Sequence, residues 1–162
     1  MVKIYTKIYQ SPIGEIVMKS DGSYLTGLKF KENDEEIKET YENIAALEKT
    51  INWLNRYFSG EKCYSNEIDL KLEGSEFQKK VWQLLQEIPY GMTTTYGEIA
   101  KQLEKLYDKR VSPQGVGKAI GKNPILIIIP CHRVIGSDGS LKGYVAGLEM
   151  KKKLLKIETF SK

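Results

Sequence analysis

The sequence predicts an α+β fold: a small N-terminal antiparallel sheet with helices, residues 1–73, followed by a mainly helical C-terminal domain, residues 74–162. Three observations lead to this prediction. Apolar residues alternate with polar residues near the start of the chain, which is typical of half-buried strands. Farther along they recur at the spacing of amphipathic helices. In the C-terminal domain, hydroxyl side chains that favour helix N-caps precede short helical stretches.

Three short strands are predicted first. Residues 2–9 alternate, residues 11–14 (Ser-Pro-Ile-Gly) form a turn, and residues 15–20 alternate again. Asp21-Gly22 is a common hairpin signal, and it precedes a third strand over residues 24–30. Because strands joined by tight turns pair antiparallel, we expect a three-stranded meander.

A helical pattern follows from Asp34 to Gly60. Its apolar side chains recur every three or four residues: Ile37, Tyr41 and Ile44 on one face, then Leu47, Ile51, Leu54 and Phe58 on another. The acidic run at residues 32–39 is interpreted as the solvated face of this helix. Residues 68–72 alternate, which indicates a short extended segment, and Cys63 in a polar loop or edge is assigned no role.

Two capping boxes open the next helices. Ser75, with a glutamine three residues later, opens a helix that runs through Ile88. Thr95, with a glutamate three residues later, opens a second helix over residues 96–106.

A third helix is predicted over residues 113–122, with Ser112 as N-cap and Pro113 at the first helical position. With the helix before it, this makes a candidate helix-turn-helix. Its small residues are Gly115, Gly117, Ala119 and Gly121. Since each glycine weakens a helix by about 1 kcal/mol, a reason is needed. Tight helix–helix packing and close approach of a narrow DNA minor groove both remain open.

The most distinctive stretch is the aliphatic run at residues 125–129, followed by Pro130, Cys131, His132 and Arg133. The run predicts a buried, extended segment that Pro130 ends. A reactive cysteine requires a rigid support, the mouth of a pocket and nearby positive charge, and this arrangement offers all of them. The alternative is an inert, buried Cys131 beside a surface histidine.

Composition excludes several classes of protein. Hydrophobic residues make up 41% and charged residues 28% of the 162, as in soluble globular proteins. No apolar run approaches the roughly 20 residues of a membrane span, and the first residues carry no secretory signal. Two cysteines and one histidine cannot form a four-ligand structural zinc site. We therefore expect a cytoplasmic protein with reduced thiols.

The net charge of +4 is unevenly distributed. Residues 1–72 carry 10 basic and 12 acidic side chains, whereas residues 73–162 carry 15 and 9. This excess of basic charge favours a nucleic-acid surface on the C-terminal domain.

Residues 129–134, Ile-Pro-Cys-His-Arg-Val, resemble the active-site signature of the O6-alkylguanine-DNA alkyltransferases, the methylated-DNA–protein-cysteine methyltransferases. Other segments resemble the family at its usual spacing: residues 77–82, 88–91, 95–97, 117–124, 143–148 and 153–158. The resemblance covers residues 75–158 and implies a winged-helix-like C-terminal domain. The earlier residues share only the family's general, ribonuclease H-like layout.

The resemblance implies direct repair of double-stranded DNA that contains O6-alkylguanine, with O4-alkylthymine as a second candidate substrate. The Cys131 thiolate would attack the alkyl carbon, guanine would leave, and the stable thioether would limit the protein to one turnover. The lesion would be reached through the minor groove by flipping the nucleotide out of the stack. No metal, cofactor or membrane is implied, and the protein would bind DNA as a monomer, alone or cooperatively.

The family's motif positions carry over one at a time. Cys131 matches the nucleophile, His132 the residue that takes the thiol proton through a water, and Glu158 the carboxylate that orients it. Tyr144 matches the tyrosine whose hydroxyl contacts the flipped guanine. The remaining matches are Asn123 as hinge, the backbone near Val134 and Val145 as readers of the base edge, and Tyr96, Gln114, Gly115, Lys118 and Ser137 as DNA contacts.

One position departs from the family pattern. Gln114 stands where many members have an arginine that fills the gap left by the flipped base. Two other classes of protein use related residues. An alkyltransferase-like lesion-binding protein would lack the motif cysteine, which is present as Cys131. A cysteine hydrolase would need Cys131 and His132, which are adjacent, to face each other, and no third motif supports it.

Overall fold

A computed structural model describes residues 3–141 and 143–160 of the chain. Its helices and strands, in chain order, are β1 (Tyr5–Ser11), β2 (Gly14–Ser20), β3 (Leu25–Phe30), α1 (Ala45–Phe58), α2 (Glu76–Gln86), β4 (Thr94–Thr95), α3 (Tyr96–Tyr107), α4 (Pro113–Gly121), β5 (Val134–Ile135) and α5 (Leu148–Phe160). One-turn 3-10 helices occupy Ser65–Glu67 and Cys131–Arg133. The predicted α+β class is confirmed.

The first three strands form the predicted antiparallel meander, in the order β1-β2-β3. Tyr5 pairs with Ser20, and Ile16 pairs with Phe30. β1 begins at Tyr5 rather than at residue 2, which lies outside the described residues. Because successive side chains point to opposite faces of a strand, one face of this sheet carries fully buried side chains such as Ile16.

The prediction of a helix from Asp34 is wrong, because the helix begins only at Ala45. The residues before it lie along the edge of β1, where the Glu39 carboxylate accepts a hydrogen bond from the Ile8 backbone N–H at 2.8 Å. Tyr41, predicted on the apolar face, is 96% exposed. An unpaired edge strand offers backbone groups that must be covered. Glu39, the last residue of the acidic run, and Thr40 cover part of that edge, and the run forms no helix.

The aliphatic run at residues 125–129 is buried, as predicted, but it is not extended. Ile127 has φ +69°, and the Ile129 N–H donates to the Ile125 carbonyl at 3.1 Å, so the run forms a tight turn. Such a φ is rare for a β-branched residue. Asn123 holds the turn, since its amide donates to the Ile129 carbonyl at 2.9 Å and its oxygen accepts from the Ile125 N–H at 3.0 Å.

Backbone hydrogen bonds join this turn to the N-terminal sheet. The Leu28 N–H donates to the Pro124 carbonyl at 3.0 Å, and the Leu126 N–H donates to the Leu28 carbonyl at 2.9 Å. The buried side chains of both halves of the chain therefore belong to one hydrophobic cluster. Cys63, predicted in a polar loop or edge, is part of that cluster and only 3% exposed.

The capped helices of the C-terminal half form as predicted, with small differences at their ends. The Ser75 capping box is complete, and α2 ends at Gln86 rather than Ile88. The Thr95 hydroxyl caps α3 by accepting from the Glu98 N–H at 3.1 Å. The Glu98 carboxylate does not complete that box but lies 3.7 Å from Lys101.

Helices α3 and α4 make the predicted helix-turn-helix, with Ser112 capping α4 through the Gly115 N–H at 3.0 Å. The Trp82 indole N–H anchors α4 to α2 by donating to the Ala119 carbonyl at 2.9 Å. β4 pairs with β5 in parallel, and this pairing fixes the start of α3 beside Val134. Within the described part of the chain, no helix has the length and apolar character that crossing a membrane requires.

Candidate active site

Cys131 lies in the wall of a cavity of about 650 Å³ and is 2% exposed. It is the first residue of a 3-10 turn, directly after the Asn123-supported turn. The cavity is lined by residues of α3, α4 and the segment that follows the 3-10 turn: Tyr96, Gly97, Pro113, Gln114, Gly117, Ile120, Gly121, Cys131, Gly136, Ser137, Gly143, Tyr144 and Val145.

The residues singled out from the sequence occupy three places. Tyr96, Gln114, Cys131, Ser137, Tyr144 and Val145 line the cavity. Gly115 and Lys118 lie on another side of α4, beside a smaller cavity shared with α2. Asn123, His132, Val134 and Glu158 are buried in the protein interior.

Glu158 is the centre of a buried hydrogen-bond network. Its carboxylate accepts from His132 Nε2 at 2.5 Å, from Arg133 Nε at 2.7 Å and from the Tyr57 hydroxyl at 2.7 Å. The Gly91 N–H adds a contact at 3.3 Å. Burial alone would raise the pKa of the Glu158 carboxyl, but the hydrogen bond from His132 and the hydrogen bonds and charge of Arg133 lower the pKa to about 2. The group is therefore ionised at neutral pH.

His132 is held as a neutral base. Burial lowers the pKa of its imidazole, and the neighbouring Glu158 only partly opposes that effect. Because the Glu158 carboxylate can only accept, Nε2 carries the proton and Nδ1 presents a lone pair. Nδ1 is buried and has no hydrogen-bond partner among the described residues. It is the basic atom of this ring.

Arg133 does not supply the positive charge that the sequence suggested for Cys131. Its guanidinium is bound to Glu158 and donates through Nη1 to the Ile88 carbonyl at 2.8 Å. The cation that acts on the thiol is Lys151, which sequence reasoning missed. Lys151 is fully buried, and its Nζ donates to the Gly143 carbonyl at 3.2 Å.

Burial raises the pKa of the Cys131 thiol to about 11, although a hydrogen bond with Asn123 and the charge of Lys151 act in the opposite direction. The resting group is therefore a thiol.

One signal could have identified Lys151: together with Leu154 and Glu158 it forms the buried stripe of α5 at helical spacing.

Two tyrosines, Tyr96 and Tyr144, line the same cavity as the thiol and interact with it. The Tyr144 hydroxyl is buried, and it has no hydrogen-bond partner within residues 3–141 and 143–160. Its pKa is raised well above the ordinary value, by burial first and then by Cys131 and Glu158. Burial also raises the pKa of the half-buried Tyr96. Both hydroxyls therefore stay protonated at neutral pH and can donate hydrogen bonds.

Two of the three glycines of α4 are not required by packing inside the protein. A Cβ built at Gly117 would lie 3.9 Å from the Tyr96 ring, and one at Gly121 would meet nothing within 4 Å. At Gly115 the nearest atom is the Ser112 hydroxyl oxygen, at 3.3 Å. Tight helix–helix packing thus fails to explain Gly117 and Gly121. Close approach of a DNA minor groove to these positions stays a prediction.

Two family models together match almost the whole chain. Residues 4–73 match the ribonuclease-like domain of 6-O-methylguanine DNA methyltransferase. Residues 76–160 match the DNA binding domain of the same protein.

Individual proteins give the same result. The chain is 44% identical over 158 residues to a methylated-DNA–protein-cysteine methyltransferase of Methanosarcina acetivorans, covering 96% of this chain and 98% of that one. A protein of the same name from Haemophilus influenzae is 41% identical, covering 98% and 88%. Among solved structures, Mycobacterium tuberculosis OGT in complex with DNA is 39% identical with a TM-score of 0.83, covering 97% and 94%.

Proposed function

Because the chain belongs to the 6-O-methylguanine DNA methyltransferase family, we propose that it repairs duplex DNA in the cytoplasm by moving the alkyl group of O6-alkylguanine irreversibly onto its own Cys131. The observation that carries this proposal is the position of the Cys131 thiol. It lies in the wall of a cavity and is directly followed by a neutral, buried histidine that Glu158 orients.

The chemistry is a displacement at the alkyl carbon. The Cys131 sulfur forms a bond to that carbon, the bond to guanine O6 breaks, and its electron pair leaves with the base. Since the thiol is protonated at rest, its proton must be removed before or during attack. His132 Nδ1 is the acceptor, reached through a water, and the ionised Glu158 stabilises the imidazolium that forms.

The leaving base needs a hydrogen-bond donor or proton where negative charge develops. The Tyr144 hydroxyl serves this role, because it is buried in the cavity wall and stays protonated. The backbone at Val145, which is exposed in the same cavity, and at Val134 reads the base edge. The product is a thioether, which no group in the site can cleave, so each molecule acts once.

Helix α4 contacts the minor groove of the DNA. The positions of Gly117 and Gly121, where a side chain would fit inside the protein, are left small so that the backbone of α4 can approach the sugar–phosphate walls. Tyr96, at the start of α3, crowds the phosphate of the target nucleotide and promotes flipping. Asn123 links α4 to the active-site turn through its hydrogen bonds to residues 125 and 129.

The proposal is tested by incubating the protein with a duplex oligonucleotide that contains one O6-methylguanine, followed by intact-protein mass spectrometry and peptide mapping. One methyl group on Cys131 and none on Cys63 is the expected result. Binding without an adduct would identify a lesion-binding protein, and turnover without an adduct would identify a hydrolase; either outcome rejects the proposal.

Gln114 is exposed at the cavity rim, where its amide can pair with the orphaned base but cannot neutralise phosphate. We expect Gln114→Arg to tighten binding at low salt, with a salt dependence steeper by about one counterion, and to speed transfer from duplex DNA. Transfer from free O6-methylguanine base should not change. Single-turnover rates for glutamine, arginine and alanine at this position provide the comparison. Equal rates on duplex DNA would mean that another side chain holds the stack open.

Lys151 contributes positive charge to the thiol from inside the protein. We expect Lys151→Met to raise the pKa of Cys131 and to slow transfer at neutral pH by about tenfold, a loss that corresponds to about one pKa unit. Lys152→Met is the matched control, because that side chain is exposed and pairs with Glu149 at 3.6 Å. Thiol reactivity measured against pH provides the readout. If the two variants show the same dependence of thiol reactivity on pH, Lys151 does not act on the Cys131 thiol.

A further inference from the structure

The carboxylate that orients His132 is contacted from the other half of the chain. Tyr57, in α1, lies 101 residues before Glu158, and its hydroxyl donates to Oε2 of that carboxylate at 2.7 Å. Oε2 is the same oxygen that accepts from His132 Nε2. The negative charge that the imidazole experiences is therefore shared with a tyrosine of the N-terminal half.

Tyr57 is held rigidly in this position. Its side chain is fully buried, and its ring stacks on Trp53 with centroids 5.4 Å apart and an interplanar angle of 7°. The Phe58 and Tyr90 rings pack edge-on against it at 5.2 and 6.1 Å. A donor fixed on several sides can define where a carboxylate lies.

The tyrosine can act only as a donor here. Burial and the neighbouring Glu158 raise its pKa well above the ordinary value, so the hydroxyl keeps its proton. Glu158 also accepts from His132 and Arg133 of the 3-10 turn and from the Gly91 N–H of the loop after α2. The Tyr144 hydroxyl lies near Glu158, and the Lys151 cation of α5 acts on the imidazole and lowers the pKa of His132. Of the three side chains that donate to Glu158, Tyr57 is the one that stays neutral while His132 gains a proton and Arg133 remains charged.

We infer that Tyr57 is a positioning residue for the His132–Glu158 pair, through which the N-terminal half of the chain sets the proton acceptor of Cys131. Its effect on alkyl transfer rests on the proposed function. Its effect on the imidazole does not, and that effect can be measured without DNA. Removing the hydroxyl leaves more negative charge on Oε2, which stabilises the protonated imidazole. His132 then titrates at higher pH.

The test uses Tyr57→Phe, which keeps the buried ring. Tyr9→Phe is the matched control: it removes one tyrosine hydroxyl from the same half of the chain, where the bond is to Asn55 at 2.7 Å. Because the chain contains one histidine, the imidazole NMR signals across a pH series report His132 alone. Single-turnover transfer rates and thermal melts are measured in parallel.

In Tyr57→Phe we expect the His132 titration and the acid limb of the transfer rate both to move to higher pH. On the acid limb, where the imidazole is mostly protonated, the rate at a given pH should fall about tenfold, as for the loss of one hydrogen bond to a charged group. Tyr9→Phe should match wild type in both measurements.

A His132 titration in Tyr57→Phe that coincides with wild type would overturn the inference. If transfer is then also slower and the melting temperature lower, Tyr57 is a packing residue only. If the wild-type protein transfers no methyl group, the proposed function fails, but the NMR comparison still decides the role of Tyr57.

Discussion

Replacing Cys131 with alanine is expected to abolish alkyl transfer while binding to duplex DNA is retained. The sulfur atom is the acceptor of the alkyl group, and His132, Glu158 and Tyr144 cannot substitute for it, because they handle protons. The surfaces proposed to contact DNA lie on α3 and α4 and need no thiol. The change removes one sulfur atom from a packed wall, so the fold should persist. Intact-protein mass after incubation with methylated duplex measures transfer, and fluorescence anisotropy measures binding.

Cys63→Ala is the control for this experiment. Cys63 is also buried, and burial raises its pKa to about 11 as well, so burial and thiol chemistry are similar at the two positions. What differs is the surroundings. Cys63 lies next to the Trp53 carbonyl at 3.8 Å, away from the cavity and from the His132–Glu158 pair. Normal transfer by Cys63→Ala is expected, and an alkyl group found on Cys63 in wild type would contradict the proposed chemistry.

The second large effect is expected for Glu158→Gln, in both transfer and stability. The substitution keeps the shape of the side chain but removes the negative charge that pairs with Arg133 and orients His132. Breaking a buried ion pair by removing one partner typically costs roughly 3–5 kcal/mol, since the remaining charge is left buried. Transfer should fall further than binding, because DNA contacts do not involve Glu158. Denaturant unfolding and single-turnover rates measure the two effects.

The pH dependence of stability identifies the same carboxylate. The pKa of Glu158 is about 2 in the folded protein, below the ordinary value of 4.5. A lowered folded pKa means that the unfolded chain binds more protons. The contribution of Glu158 to stability is therefore fully present above about pH 4.5 and is lost as the pH falls towards 2. Glu158→Gln should lose stability at neutral pH and show a shallower decline in that acid range. An equally steep decline in the variant would assign the acid sensitivity to other groups.

Features that depend on neighbouring residues in the chain could be predicted from the sequence. The caps at Ser75, Thr95 and Ser112 form because a hydroxyl and the N–H groups it satisfies lie within the same turn. The three-stranded meander follows from alternation and turn residues for a similar reason. Cys131 and His132 could be identified as candidate site residues because they are adjacent in the hexapeptide at residues 129–134.

The predicted local structure was wrong in two segments that form hydrogen bonds with residues far away in the sequence. Residues 34–44 have helical spacing, but Glu39 and Thr40 form hydrogen bonds with backbone groups on the open edge of β1. The run at residues 125–129 is rich in β-branched side chains, yet Asn123 and the β3 edge fold it into a turn with Ile127 at positive φ.

The α+β class, the capped helices and the adjacent thiol and imidazole follow from the order of residues along the chain. The charges that act on the thiol and the imidazole depend on packing: Arg133 pairs with Glu158, Lys151 acts on the thiol from inside the protein, and Tyr57 donates to the same carboxylate from α1. The physical reason is the range of the interactions. A cap or a turn is satisfied within a few residues, whereas a buried charge must be satisfied by whichever groups the packed chain brings close to it.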